Sequence, residues 1–292
     1  MRLHLVDGTY ELFRAHHSKR PTRRAPDGRD VTATVGLVAS LLGLLDDAEE
    51  QVTHIGVAFD HPIESWRNRR LASYKSSEGV DPTLLAQFGD VEVAVEALGV
   101  HVWSCADHEA DDALAAAATR FAPEVEQVRI LSPDKDLAQV VAGDRIVQVD
   151  RARGTVRDHD AVVARFGVPP ASIPDLLALV GDTADGIPGL PGFGMKTVAS
   201  LLAHYPTIDD IPDDPTHWQV SVRGAERLAT TLAEHRSELE LYRELTRLDT
   251  DLELEVGLSD LAWRGVPRQR FLEWCDRIGV EQLRERPSRW ET

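Results

Sequence analysis

The feature that most constrains this chain is a short apolar run that ends at an aspartate, a pattern that occurs three times. The three runs are RLHLV before Asp7, HIGVAFD ending at Asp60, and QVRILSPDKD ending at Asp134 and Asp136. Apolar runs of this length, closed by turn-forming residues, are typical of buried strands. Because ligands of open α/β sheets bind beyond the carboxyl ends of the strands, we expect these aspartates to lie at a functional edge.

Helical patterns alternate with these strands. Apolar residues with helical spacing lie at 31–45, 90–99 and 110–121, and one further strand is predicted at 145–149. Such alternation predicts an α/β fold with a mostly parallel central sheet flanked by helices. After about residue 170 the strand signal fades, and helical segments separated by Gly and Pro follow. We therefore predict an α/β core over residues 1–170 and a helical region over 171–292.

Composition limits the environment and the ligands that we expect. The chain is 42% hydrophobic, yet no apolar run approaches the roughly 18 residues of a membrane span. An aspartate at position 7 argues against a secretory signal, so we expect a cytoplasmic protein with no membrane partner. Two cysteines without CxxC spacing, Cys105 and Cys275, argue against a thiolate metal site. A net charge of −17 argues against a nucleic-acid binder with evenly spread charge.

Further acids join the strand-end aspartates. HEADD supplies Glu109, Asp111 and Asp112, and GDTADG supplies Asp182 and Asp185. With the four strand-end aspartates they make nine carboxylates, and hard oxygen ligands favour two or more Mg²⁺ or Mn²⁺ ions. Two such ions roughly 4 Å apart are the arrangement that hydrolyses phosphodiesters. Setting the nine aside leaves 40 acidic residues against 32 basic ones, so more than half of the net charge would be metal-site charge.

These blocks resemble a known family when they are taken in order. The order LVDG, VAFD, EADD, SPDKD and GDTADGIPGLPGFGMKT is similar to that of the bacterial 5′ nucleases, which comprise flap endonucleases and the 5′ nuclease domain of DNA polymerase I. The resemblance covers about residues 2–250 and implies a PIN-like nuclease core in a stand-alone form. It also implies that all nine acids, Asp112 included, are metal ligands, and that one ion takes mainly Asp7, Asp60, Glu109, Asp111 and Asp134. A second ion would depend on Asp136, Asp182 and Asp185.

A glycine-rich loop leads into a helix that we expect to begin at Met195. The segment GIPGLPGFGMKT resembles the family's helix-hairpin-helix element, about 186–204, which grips a duplex backbone. Free backbone N–H groups at a helix start bind phosphate without much positive charge. The resemblance implies DNA contacts from Gly192, Gly194, Lys196 and Thr197, and a K⁺ ion held by loop carbonyls.

Basic residues cluster after the first two predicted strands. One cluster begins at Arg14, and a second, WRNRRLASYK, occupies 66–75. The second resembles the start of the family's helical arch, which we place at about 64–90 and which admits single-stranded 5′ ends. The position of the two clusters after the strands that end at Asp7 and Asp60 predicts DNA contacts from Arg14 and Arg70. The resemblance implies DNA contacts from Arg67, Tyr74 and Lys75, with catalytic roles for Lys75 and Arg67.

The arch departs from the family pattern at one position. Three residues after Lys75, where the family usually has arginine, this chain has Glu78. A carboxylate there repels the backbone of a single strand. We therefore expect a weaker grip on single-stranded DNA, with no change in the metal chemistry.

The leading hypothesis is a structure-specific 5′ nuclease that hydrolyses DNA at 5′ flaps and 5′ ends by a two-metal-ion mechanism, in replication and repair. Its partners would be DNA with a 5′ flap, nick or 5′ end, and DNA polymerase and ligase, with no small-molecule cofactor. A PIN-like ribonuclease is one alternative. A non-catalytic module that binds branched DNA is another, although none of the nine acids is missing.

Overall fold

The structure is a computed structural model that describes residues 1–292. The strands are β1 Arg2–Asp7, β2 His54–Asp60, β3 His101–Cys105, β4 Gln127–Leu131, β5 Ile146–Asp150 and β6 Thr155–Arg157. The helices are α1 Gly8–His16, α2 Thr32–Leu45, α3 Trp66–Arg70, α4 Pro82–Leu85, α5 Phe88–Ala97, α6 Ala110–Phe121, α7 His159–Phe166, α8 Ile173–Val180, α9 Met195–Leu202, α10 Ala225–Glu234, α11 Arg236–Thr246 and α12 Arg268–Ile278.

The chain divides into two compact units, each assembled from segments that are distant in sequence. The first unit comprises Met1–Ile63, Ser77–Ser132 and Thr250–Thr292. The second comprises Glu64–Ser76 and Pro133–Asp249. The division of the chain near residue 170 stays a prediction.

A parallel sheet forms the centre of the first unit. β1 pairs with β2 on one side and with β4 on the other, and β3 pairs with β2, so the strand order is β3-β2-β1-β4. Leu3 to Val6 of β1 are fully buried. Because successive side chains point to opposite faces, this burial shows that both faces of β1 are covered. The predicted class, a mostly parallel sheet with flanking helices, is confirmed.

The second unit contains a hairpin and a set of helices. β5 and β6 pair in antiparallel fashion, with Gln148 opposite Arg157. Helix α8 packs against α9 and α11, and buried Leu176, Val198 and Leu228 belong to one apolar cluster. The apolar periods predicted for this region are therefore helices with a shared core.

Several element predictions need correction. The strand expected to reach Asp136 ends at Leu131, because Pro133 has no N–H to continue a ladder. Asp136 instead opens a 3-10 turn that ends at Val140. The helix expected at 90–99 is α5, two residues earlier at each end. β3 and β6 were not predicted.

No single helix has the length and apolar character to cross a membrane. One bent pair, His159–Phe166 with Pro170–Val180, reaches that length and composition only when the two helices are taken together.

Candidate functional site

The first unit places Asp7 at the end of β1, where it also caps α1. Its Oδ1 accepts a hydrogen bond from the N–H of Tyr10 at 2.8 Å, and its Oδ2 accepts one from the hydroxyl of Ser132 at 2.8 Å. Asp7 is buried. A carboxylate held from two sides keeps one rotamer, so its remaining lone pairs have a fixed direction. Ser132 thus supports Asp7, a contact that the sequence pattern does not predict.

Asp60 and the start of α6 are joined in the same unit. The N–H of Ala110 donates to Asp60 Oδ1 at 2.7 Å, and the N–H of Asp60 donates to the Thr9 hydroxyl at 2.8 Å. The first bond ties the carboxyl end of β2 to the first turn of α6. The predicted ligand Asp60 is therefore positioned by backbone groups as well as by its strand.

The acids of EADD have different environments. Glu109 is the N-cap of α6, and its N–H donates to Asp112 Oδ2 at 3.0 Å in a capping box. Both are buried, and Asp111 is half-buried. Acids in a first helical turn also stabilise the helix dipole. Asp112 thus has a structural function in the helix start, and its function as a metal ligand stays a prediction.

The second unit brings three of the predicted ligands together. One carboxylate oxygen from each of Asp136, Asp182 and Asp185 lies within 4.8 Å of the other two, and all three residues are buried. Asp134 is exposed, and its Oδ1 accepts from the N–H of Asp136 at 2.9 Å. A carboxylate triad this close is costly unless a cation is present.

Asp136 carries the clearest electrostatic signal of this triad. Burial raises its pKa well above the ordinary value, and the neighbouring Asp134 and Asp185 raise it further. Its Oδ1 is buried with no hydrogen-bond partner. An orphan carboxylate oxygen among other carboxylates is a donor set that suits a hard divalent cation, so these residues fit Mg²⁺ or Mn²⁺.

Two lysines lie against this triad. Lys135 Nζ lies 2.5 Å from Asp182 Oδ2, and Lys75 Nζ lies 3.5 Å from Asp185 Oδ1. Burial lowers the pKa of Lys135, but Asp136, Asp182 and Asp134 outweigh it and raise the pKa to about 12. Lys75 was predicted from the sequence and Lys135 was not, although Lys135 lies between the predicted ligands Asp134 and Asp136.

A close approach of two backbone segments positions Lys75. The N–H of Lys75 donates to the carbonyl of Asp185 at 3.1 Å, and the Ser73 hydroxyl donates to the carbonyl of Gly186 at 3.0 Å. Gly186 has φ +73°, and a Cβ there would lie 1.8 Å from the Ser73 carbonyl oxygen. Only glycine fits this contact.

The other residues selected around 66–75 are largely engaged within the protein. Arg67 is 1% exposed, and its guanidinium donates to the carbonyls of Leu245 at 2.9 Å and Arg247 at 3.1 Å. Tyr74 is also buried. Arg70 is exposed and pairs with Glu244 at 2.6 Å. Arg67 therefore anchors α3 to the end of α11. The DNA contacts of these three residues and the catalytic role of Arg67 stay predictions.

Two further predictions concern Arg14 and the arch expected at residues 64–90. Arg14 pairs with the buried Glu11 at 2.5 Å and lies within reach of the Ser40 hydroxyl. Residues 64–90 contain α3, α4 and the start of α5, and Glu78 is exposed between α3 and α4. The assignment of this segment as an arch stays a prediction.

The glycine-rich loop leads into α9 as expected. Helix α9 begins at Met195 with Gly194 as its N-cap, and no side chain caps it. Gly192, Gly194 and Lys196 are exposed, Thr197 is half-buried, and the space beside the Gly194 Cα is open. Arg227 of α10, which was not predicted from the sequence, has a guanidinium nitrogen 3.4 Å from where a Gly192 Cβ would lie. An uncapped helix start beside two cations is a suitable phosphate site.

Buried carboxylates at the carboxyl ends of the strands of a parallel α/β core suit a metal-dependent hydrolase, a class that includes nucleases. Family models for a 5′-3′ exonuclease match the chain, the N-terminal resolvase-like domain over residues 2–167 and the C-terminal SAM fold over residues 168–269. The chain therefore belongs to the 5′-3′ exonuclease family, as its motifs predict.

Two kinds of relative share this sequence. A 5′-3′ exonuclease of Aquifex aeolicus is 30% identical over 260 residues, which is 89% of this chain and 86% of that protein. DNA polymerase I of Rhizobium leguminosarum is 34% identical over 265 residues, 89% of this chain but 26% of the polymerase. DNA polymerase I of Mycobacterium leprae is 34% identical, with 97% of this chain and 31% of the polymerase covered. The chain thus spans about a quarter to a third of these polymerases.

Solved structures of nucleases share the fold. The T5 D15 protein co-crystallised with metal ions superposes with a TM-score of 0.67 at 18% identity, covering 95% of this chain and all of that one. The catalytic core of Rad2 in complex with DNA substrate gives a TM-score of 0.61 at 14% identity, covering 95% of this chain and 88% of that one. At sequence identities this low, the superpositions show that the fold is shared and nothing further.

Proposed function

We propose that this chain is a divalent-metal-dependent 5′ nuclease that hydrolyses DNA phosphodiester bonds at 5′ flaps and 5′ ends. The observation that carries the proposal is the buried triad Asp136, Asp182 and Asp185 with an orphan oxygen on Asp136. Membership of the 5′-3′ exonuclease family supports the reaction class. A T5 flap endonuclease of the same fold is described in complex with DNA and metal ions, which supports the substrate class.

The proposed ligands are the acids of both units. They are Asp7, Asp60, Glu109, Asp111 and Asp112 of the first unit, and Asp134, Asp136, Asp182 and Asp185 of the second. When bound, two Mg²⁺ or Mn²⁺ ions would activate water and stabilise the leaving oxygen. The protein contributes carboxylates whose rotamers are held by Ser132 and by the N–H groups of Tyr10 and Ala110. Held ligands need little reorganisation at the moment of reaction.

Lys75 would act on the substrate rather than on the ligands. Its backbone is fixed to Asp185, and its partly exposed ammonium lies 3.5 Å from Asp185 Oδ1. A cation beside the site where phosphate binds stabilises charge that develops on the attacked phosphate. We expect Arg67, buried against α11, to position α3 so that Lys75 keeps this place.

The duplex backbone would bind at the start of α9. The backbone of the exposed residues Gly192 and Gly194, together with Lys196, Thr197 and Arg227, would offer phosphate contacts without base contacts. Such contacts set position and carry no sequence information. K⁺ held by loop carbonyls would support the same segment, and Arg14, Arg70 and Tyr74 would contact the substrate elsewhere. A function in replication and repair beside DNA polymerase and ligase is in keeping with relatives named DNA polymerase I.

The test is cleavage of matched substrates with and without EDTA. We would use a 5′-labelled DNA flap, the same flap in RNA, a nicked duplex and a single strand. The proposal predicts cleavage of the DNA flap near its junction, less cleavage of the RNA flap, and no cleavage in EDTA. Robust cleavage in EDTA would overturn the metal dependence, and preferential cleavage of the RNA flap would favour a ribonuclease.

A further inference from the structure

The first unit has an open sheet edge. β3 pairs only with β2, and residues of β3 line a cavity of about 430 Å³. The segment LELEV at 252–256 lines the same cavity. The Arg120 guanidinium fixes that segment by donating to the Leu254 carbonyl at 2.7 Å. We call this cavity the β3 groove.

Two residues of β3 that line the β3 groove direct their backbone groups to the outer edge of the sheet. The carbonyl of Cys105 accepts from the N–H of His61 at 3.0 Å, so Cys105 faces β2. Because strand residues alternate, Val102 and Ser104 direct their N–H and C=O groups to the outer edge. No protein group bonds to these four backbone groups, and Ser104 is exposed. Such an edge is a template for one more strand.

The walls of the β3 groove are acidic. Asp107, Glu253 and Glu255 line it and are exposed, and no lysine or arginine lines it. The apolar side chains of Val102, Leu252 and Val256 lie among these acids and are half-buried. An occupant that suits this lining is extended and carries alternating cationic and apolar side chains.

We propose that the β3 groove binds an extended, lysine- and arginine-rich peptide segment of a partner protein, which adds a strand to the free edge of β3. Main-chain hydrogen bonds to Val102 and Ser104 would supply affinity, and the acidic wall would select cationic side chains. This interaction goes beyond the nuclease activity, since it concerns a protein partner and uses none of the proposed metal ligands.

The probe is a capped, fluorescein-labelled hexapeptide of sequence KVRVKV, titrated into the full chain and followed by fluorescence anisotropy. A matched peptide with methyl groups on two adjacent backbone nitrogens keeps its charge but cannot pair through either edge. We expect it to bind at least about tenfold more weakly, which is about 1.4 kcal/mol. Equal binding of both peptides would overturn strand addition, and would mean that the net charge of the chain alone attracts them.

Protein variants locate the site. Glu253→Gln with Glu255→Gln should weaken binding of KVRVKV about threefold or more at low salt, because the acidic wall loses two charges. Glu238→Gln with Glu240→Gln, on α11, removes the same charge elsewhere and should leave binding unchanged. An equal loss in both pairs would contradict the proposal.

Hydrogen exchange reads the hydrogen bonds directly. The amides of Val102 and Ser104 should exchange fast in the free protein and at least about tenfold more slowly with KVRVKV bound. Slow exchange of both amides before the peptide is added would mean that residues 252–256 already close on β3, and unchanged exchange would place the peptide elsewhere. Either result would overturn the proposal.

Discussion

Lys135 is the residue whose function is best defined by its contacts alone. Its ammonium lies 2.5 Å from Asp182 and supplies a positive charge to a buried carboxylate cluster. A divalent ion that binds these acids must do so beside that charge, and two cations a few ångströms apart repel each other by a few kcal/mol at an effective dielectric constant of about 20. We therefore expect Lys135 to weaken metal binding and to stabilise the metal-free protein.

Lys135→Met should separate these two effects. We expect the dissociation constant for Mn²⁺, measured by calorimetry, to fall about tenfold, and the Tm in EDTA to fall because the acids lose their counterion. Lys196→Met, an exposed lysine outside the triad, is the control and should change neither quantity. An unchanged Mn²⁺ affinity in Lys135→Met would show that the ion does not bind near Lys135.

Arg67 illustrates what residue-level patterns miss. The run WRNRR predicts a solvent-facing cation, yet Arg67 is buried against carbonyls of residues 178 and 180 positions later. Ser132, Thr9 and Lys135 were missed for the same reason, since their partners lie on other elements. Residue type and spacing identify the acids, whereas the groups that hold the acids depend on long-range packing.

Glu50 forms polar contacts with residues of two neighbouring strands, β1 and β4. Glu50 accepts from His4 of β1 at 3.0 Å and lies 2.8 Å from Arg129 Nε of β4. The hydrogen bond from His4, and then Arg129, lower the pKa of Glu50 to about 2. A carboxyl group whose pKa is lowered on folding contributes stability above its unfolded pKa, and that stability is lost as the pH falls toward the folded pKa.

Glu50→Gln should therefore cost stability in a pH-dependent manner. At pH 7 we expect a loss of about 1 kcal/mol in the free energy of unfolding, a discounted figure because Glu50 remains partly solvated. The difference from the wild type should shrink below about pH 4.5 and nearly vanish toward pH 2. Urea unfolding at several pH values measures it, and a difference that does not vary with pH would contradict the assigned cause.

The start of α9 is the element that we expect to bind the duplex. Lys196→Ala should weaken duplex binding about equally for all sequences and lower the magnitude of the slope of log K against log salt by about 0.9. Lys196→Arg keeps the charge and should keep the slope. Affinity of a blunt duplex at four salt concentrations measures both, and an unchanged slope for Lys196→Ala would mean that Lys196 is only solvated.

The segment 64–90 is tested through Glu78. Glu78→Arg removes a repulsion of up to about 1 kcal/mol from a nearby phosphate and adds an attraction. Flap affinity at low salt should rise about fivefold or more, with blunt-duplex affinity nearly unchanged. Asp160→Arg, an exposed site on α7, makes the same charge change and is the control. Equal increases in flap affinity and blunt-duplex affinity would contradict the assignment of residues 64–90 as an arch.

Elements could be predicted where pattern and end signals agree. α6 occupies the predicted residues 110–121, and α9 begins at the predicted Met195. Each helix follows a residue suited to a helix start, Glu109 before α6 and Gly194 before α9. β3 escaped prediction because HVWSC is short, contains His and Ser, and lies half-exposed at a sheet edge. An edge strand lacks the continuous apolar run that identifies central strands.

At the scale of the whole molecule, five of the nine acids belong to the first unit and four to the second, and the segments of the two units alternate along the sequence. The residues Glu64–Ser76 belong to the second unit although they lie between segments of the first. Motif order identifies the family without this information, because each motif lies at the end of one element. Which segments fold together is decided by apolar contacts such as those of Tyr74 with Ile187 and Leu245, which no local pattern encodes.

The most direct test of the central claim is single-turnover cleavage of a 5′ DNA flap by Asp182→Asn in Mg²⁺, with flap affinity measured separately in Ca²⁺. Asp160→Asn, which removes one exposed acid from α7, is the matched control. We predict that Asp182→Asn lowers the cleavage rate by about a hundredfold or more while flap affinity is unchanged or tighter, and that Asp160→Asn changes neither. Cleavage by Asp182→Asn within about twofold of the wild-type rate would contradict the assignment of the Asp136, Asp182 and Asp185 triad to the catalytic metal site.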